Sequence, residues 1–211
     1  MYTLIDLTQT LDASSLSYPG TAPAWTAERV DLGDSLTTLT RFSRFDPHGG
    51  THLDAPLHFA PDGRDVGSLP LELYPAILVS VSGGRIEADA IPARCAGCAV
   101  LFATGWERRA GTRDYYDGFP HFTADAARRL VDRRVGLVGL DTPSVDARDG
   151  AAGYPAHETL CGAGVPIVEG LVNLRALRAV ESEVLFAAFP LKLRGIEASP
   201  VRAVALVPDV Q

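Results

Sequence analysis

Five histidines occur in the 211 residues, and three of them fall in the run His48-Gly49-Gly50-Thr51-His52-Leu53-Asp54-Ala55-Pro56-Leu57-His58. Uniform scatter would put about a quarter of a histidine in such a window, so the clustering has a cause. A His pair at i, i+4 can be a zinc site on a helix. Here Gly49, Gly50 and Thr51 intervene, which no helix favours. A turn leading into an extended segment fits better. In such a segment His52 and Asp54 project to one face, and Thr51, Leu53 and Ala55 to the other. The glycines let the backbone bring His48 round to the same point. Pro56 ends the strand and leaves His58 to enter from a loop. Two imidazoles and a carboxylate suit Zn, Mn, Fe or Co. Without a metal, grouping these side chains costs several kcal/mol of desolvation, which weighs against a merely structural polar turn.

A second candidate segment joins His157, at the start of a single helical turn expected behind Pro155, to Glu169 at the end of an apolar run. By themselves these two read as a surface histidine and a solvated glutamate. Tyr18 and Trp106 are candidates to line a pocket for an aromatic substrate, although single aromatics are more often core residues. His121 has no acid or second histidine beside it and reads as structural. Cys95-Ala96-Gly97-Cys98 is a lone CxxC, weak evidence for zinc or redox chemistry.

The elements that must position these groups are mostly strands. Ile77–Ser82, Val100–Thr104, Val135–Asp141, Val165–Glu169, Val184–Phe189 and Val201–Val207 are apolar on consecutive residues, as strands covered on both faces are. Residues 123–134 read as a helix, with Thr123 as N-cap, Asp125 in the first turn, and Arg133 and Arg134 at the C-terminal end. A second helix is expected over Leu174–Ala179. Proline and glycine punctuate the N-terminal third so often that loops and short strands are expected there. No repeat or linker divides the chain. One α/β domain over residues 1–211 follows, with a mixed sheet, few helices and a β layer carrying the site.

Composition narrows the function. Hydrophobic residues make up 46% of the chain, enough for a real core without disulfides. The net charge of −7 argues against a nucleic-acid surface. The cluster Arg128, Arg129, Arg133 and Arg134 is explained by its helix end. No stretch approaches the roughly 20 apolar residues of a membrane span. The N-terminus lacks a secretory signal pattern, so the cytoplasm is expected.

The run HGGTHLDAPLHF resembles the HxGTHxDxPxH signature of the metal-dependent cyclase family, which includes bacterial kynurenine formamidases and isatin hydrolases. The resemblance extends over most of the chain. Ser17-Tyr18-Pro19-Gly20, Thr104-Gly105-Trp106, Asp141-Thr-Pro-Ser-Val-Asp146, the His157/Glu169 pair and Ser199-Pro-Val-Arg-Ala203 have family counterparts. It implies a β/β/α cyclase-like (swivelling) fold and a homodimer or dimer of dimers. It also implies that His48, His52 and Asp54 bind one metal and that His157 and Glu169 bind a second. Asp54 would bridge the two ions, Zn or Mn, and His58 would be the general acid/base. Tyr18 stands where related formamidases carry Trp, and Thr21 where they usually carry Asp, so the substrate is the open point. Hydrolysis of a small amide is expected, an N-formyl aryl ketone such as N-formylkynurenine foremost. The alternatives are a cyclic imide or lactone hydrolase, an aromatic polyketide cyclase, or a non-catalytic binding relative.

Overall fold

The computed structural model describes residues 1–12, 14–20, 22–30, 33, 39–148, 150, 153–180 and 183–209; Thr21 lies outside them. Ten strands matter here: β1 (Tyr2–Asp6), β2 (Trp25–Val30), β3 (Leu39–Phe45), β4 (His52–Asp54), β5 (Tyr74–Ser80), β6 (Ala99–Ala103), β7 (Leu137–Leu140), β8 (Ile167–Glu169), β9 (Val184–Pro190) and β10 (Ala198–Pro208). Two α-helices accompany them, α1 (Ala124–Asp132) and α2 (Pro155–Gly162).

Eight strands form one mixed sheet in the order β1-β10-β9-β5-β6-β7-β8-β4, and β4 pairs back onto β10, closing seven of them into a barrel. The run β5-β6-β7-β8 is parallel, while β4, β9 and β1 pair antiparallel with their neighbours. The long β10 closes the barrel. Its first residues pair with β4, its middle with β9, and its end with β1 on the other side.

Alternation along each strand sorts the side chains into two layers. Leu53, Leu101, Leu137, Val168, Phe186 and Ala203 come from six different strands and pack into one cluster inside the barrel. Val100, Phe102, Val138, Leu140 and Ile167 face outwards and are covered by Leu130 of α1 and Ala156, Leu160 and Cys161 of α2. This two-sided burial explains why the central strands read as unbroken apolar runs.

The expected strands are all present, with shifted ends. The strand expected at Ile77–Ser82 occupies Tyr74–Ser80, and the one at Val201–Val207 begins at Ala198. Helix α1 has Thr123 as N-cap, its hydroxyl accepting the Ala126 N–H at 3.2 Å. Leu174–Ala179 is a 3-10 helix, not an α-helix. Helix α2 is longer than the single turn expected. The N-terminal third also differs: β2 and β3 form an antiparallel hairpin of six- and seven-residue strands. The proline-rich pattern hid it, because its apolar residues are not buried and leave no core periodicity.

Candidate active site

The strand alternation that puts Leu53 and Val168 inside the barrel turns His52, Asp54 and Glu169 outwards, towards α2. His52 is the cross-strand partner of Glu169, and Asp54 of Ile167. Gly50, with φ of +65°, makes the turn before β4, and a Cβ there would meet Leu11 at 2.6 Å. After Asp54 the chain enters a 3-10 turn, Pro56–His58, with Pro at its start, which lifts His58 over the same surface. His157 sits in the first turn of α2, buried against the outer face. The six groups singled out by chemistry therefore meet in one place, although they are up to 121 residues apart.

Asp54 is the centre. Its Oδ1 lies 3.0 Å from His48 Nδ1 and 3.5 Å from His52 Nε2, and its Oδ2 lies 3.6 Å from His157 Nε2. Glu169 approaches His52 Nε2 at 3.4 Å with Oε2 and His157 Nε2 at 3.4 Å with Oε1. The His58 ring lies tilted against His48 and edge-on to His157, with ring centroids 4.6 and 5.4 Å away. The His58 backbone N–H donates to the Ala55 carbonyl at 2.9 Å, while its ring nitrogens make no hydrogen bond among the described residues.

Electrostatics separate these groups. Burial pushes His48 down, but Asp54, with Glu169 and Glu197 behind it, reverses this and raises the imidazole to about 9. His52 and His157 are raised against the same burial penalty, His52 by Asp54 and Glu169 and His157 by Asp146, Asp54 and Glu169. Asp54 is held well below the usual carboxylate range: burial opposes ionisation, and His52, His48 and His157 overcome it. Glu169 is lowered too, against burial, by the close imidazoles of His157 and His52. His58 goes the other way. Burial, helped by His48 and His157, lowers it despite Asp54 and Glu169, so it is a neutral base at pH 7.

The site fits a divalent metal. Asp54 is fully buried, yet neither of its oxygens is hydrogen-bonded, and the same holds for His52 Nε2. The nearby imidazole nitrogens approach Asp54 closely without the alignment of hydrogen bonds. Buried polar atoms left this way cost about 1–3 kcal/mol each, a cost that a coordinated ion would remove. The donor atoms form two overlapping groups, His48/Asp54/His58 and His52/Asp54/Glu169, with the atoms of each within 4.8 Å of one another. Asp54 belongs to both. Above them opens a cavity of about 380 Å³, lined also by Tyr18, Asp46, Phe59, Pro143, Ser144 and Tyr154.

Tyr18 is thus at the cavity, and Trp106 is not among its lining residues. The Trp106 indole donates to the Tyr115 carbonyl at 2.8 Å, and the Arg109 guanidinium lies 4.1 Å from its ring centre. His121 lies outside the cavity as well, its Nδ1 3.2 Å from the Phe119 carbonyl oxygen. Cys95 is buried, which raises its thiol pKa, and it stands apart from the site with Cys98. Sequence reasoning missed Phe59, which stacks on His157 at 4.7 Å, and Tyr154, 5.6 Å from Phe59. Their adjacency to His58 and Pro155 was the only signal.

Known proteins resemble the chain in family and fold. A family model described as "Putative cyclase" matches residues 5–147, more than half of the chain. The chain belongs to this cyclase family. It is 33% identical to a kynurenine formamidase of Salinibacter ruber, covering 95% of this chain and 96% of that one. It is 31% identical to the kynurenine formamidase of Bacillus mycoides, with 95% of each covered. Among solved structures, isatin hydrolase A from Labrenzia aggregata superposes with a TM-score of 0.84 at 26% identity, covering 99% and 94% of the two chains. A protein from Bacillus stearothermophilus described as a "predicted metal-dependent hydrolase" superposes with a TM-score of 0.80 at 30% identity, covering 99% and 100%.

Proposed function

We propose that this protein is a metal-dependent hydrolase of a small aromatic amide, with an N-formyl aryl ketone such as N-formylkynurenine as leading substrate. One observation carries the reading: buried Asp54 and His52 present unpartnered donor atoms at the floor of an aromatic-lined cavity. The relatives named kynurenine formamidase support cleavage of a non-peptide C–N bond. His48, His52 and Asp54 would hold one ion and His157 and Glu169 a second, Zn or Mn, with Asp54 shared between them.

A divalent ion held there supplies Lewis acidity and makes water a stronger acid. The chain's own residues do the rest. His58, neutral and at the cavity wall, takes a proton from the attacking water and returns it to the leaving nitrogen. Tyr18, Phe59 and Tyr154 give an aromatic ring flat apolar surfaces and exclude water from the reacting carbonyl. The likeness to isatin hydrolase A favours a second reading, ring-opening of a cyclic amide, by the same groups.

We read the protein as a cytoplasmic homodimer or dimer of dimers. Three unpaired cysteines are consistent with a reducing compartment. Among the described residues no helix is long and apolar enough to cross a membrane. The β2–β3 hairpin exposes Leu39, Phe42 and Phe45, and a lone two-stranded hairpin is marginal in water, which supports its being covered by a second copy.

The test combines metal analysis with hydrolysis of a panel of arylformamides, cyclic imides and lactones. Removal of metal by a strong chelator should abolish turnover and leave the circular dichroism spectrum intact, because the core does not depend on the ion. Full activity of metal-free protein would overturn the reading.

A further inference from the structure

The loop from Asp141 to Asp146 joins β7 to the segment before α2 and lends Pro143 and Ser144 to the cavity wall. It is pinned at its start. Asp141, fully buried, accepts the Thr104 N–H at 3.0 Å, the Thr104 hydroxyl at 2.6 Å and the Gly105 N–H at 2.7 Å. Tyr115 donates its hydroxyl to the Asp141 carbonyl at 3.2 Å. The far end of the loop then meets both residues of the second candidate metal pair. The Val145 N–H donates to Glu169 Oε1 at 2.7 Å. The next residue, Asp146, engages His157.

Asp146 is buried, and each of its carboxylate oxygens has a partner. Oδ1 accepts the Ala156 N–H at 2.9 Å. Oδ2 accepts the His157 N–H at 2.9 Å and stands 2.8 Å from His157 Nδ1. Helix α2 starts with Pro155, which has no N–H, and its N-cap residue Tyr154 makes no side-chain cap. The first two free amides of the helix are therefore capped from a distance by Asp146. Oδ2 already accepts the His157 N–H, and the ring nitrogen facing the same oxygen is placed as a second donor. That leaves Nε2 as the nitrogen with a lone pair when the ring is neutral. Nε2 points at Asp54 Oδ2 and Glu169 Oε1, 3.6 and 3.4 Å away.

We propose that Asp146 is a positioning residue for the second metal: it fixes the tautomer and the ring plane of His157 so that Nε2 is presented for coordination. The inference rests on the two-metal reading of the site. Metal-ligating histidines commonly use their other ring nitrogen this way, and loss of such a partner costs about 10–100-fold in metal affinity.

Asp146→Asn tests the proposal. Asn keeps the size and one acceptor oxygen but loses the charge, and it turns an amide NH2 towards one of the three donors. Chelator-stripped protein, checked as folded by circular dichroism, is titrated with zinc against a chromophoric competitor. The expected result is an unchanged first ion and a second ion bound about 10–100-fold more weakly. Equal affinities in the variant and wild type would reduce Asp146 to a helix cap and overturn the proposal. Wild type that binds no second ion overturns the two-metal reading itself, and so the two failures are distinguishable. If the variant does not fold, the decision falls to ring nitrogen NMR of the zinc-loaded wild type. His157 must then carry its proton on Nδ1, and a proton on Nε2 overturns the proposal.

Discussion

His52 and Glu169 stand directly opposite each other across the β4–β8 ladder, and their side chains meet at 3.4 Å on the outer face of the barrel. This pairing joins the histidine-rich segment to the second candidate segment. It also supplies the second negative charge that two divalent ions would need beside Asp54. Glu169→Gln should therefore lower the metal content from two ions per chain towards one, with His48, His52 and Asp54 keeping theirs. Metal analysis of wild type at saturating zinc that finds a single ion would sink the idea.

The His58 ring has no hydrogen-bonding partner among the described residues and a lowered pKa, which suits a base. His58→Ala should keep the metal stoichiometry and lower kcat about 10²–10⁴-fold. Because His58 also lies near His48 and Asp54, the same variant checks the division of roles. Loss of an ion on mutation would make it a ligand.

Metal affinity should rise with pH. In the metal-free site His48 is raised to about 9, so at pH 7 it holds a proton that an incoming ion must displace. Binding is then weakest in acid and strengthens as pH climbs towards about 9. The same raised pKa stabilises the metal-free fold fully below the unfolded value of 6.5, and this contribution is lost as pH rises through about 9. Zinc titrations between pH 6 and pH 9 that give one affinity would contradict this.

Gly170 follows Glu169 with φ of +72°, and a Cβ there would stand 2.5 Å from the Gly50 carbonyl oxygen. Its own carbonyl accepts from the Thr51 hydroxyl at 2.6 Å and from Gln9 Nε2 at 2.8 Å. The Thr51 side chain thus ties the histidine-rich segment to the backbone that follows Glu169. Gly170→Ala should cost about 1–3 kcal/mol from the backbone conformation alone, with the clash in addition. A fall in Tm of several degrees is expected, and an unchanged melting curve would refute the close approach.

Tyr18 lines the cavity above the candidate metal ligands. Tyr18→Ala should raise KM for an arylformamide more than it lowers kcat, as when binding shared by ground and transition states is lost. An unchanged KM for the best substrate would remove Tyr18 from the substrate pocket.

How much of this was legible beforehand follows from what each feature depends on. The run from His48 to His58 could be read because its chemistry is local: three histidines and an acid within eleven residues, with glycines that exclude a helix and alternation that puts His52 and Asp54 on one face. The central strands could be read because burial on both faces leaves unbroken apolar runs. Helix α1 was marked by its cap and its charges. The barrel closure could not be read, since it depends on β10 pairing with β4, β9 and β1 at different points along its length. His157 and Glu169 were unremarkable until α2 and β8 brought them against Asp54. Asp146 was more hidden still, because its carboxylate meets the amides and ring of a helix that begins nine residues later. Trp106 looked like a pocket residue by type, but its indole hydrogen bond turns it elsewhere. Residue type and local spacing decide what chemistry a segment can do. Which segments share one desolvated space is decided only when the strands pair, because that choice is made by long-range packing and not by neighbours in the chain.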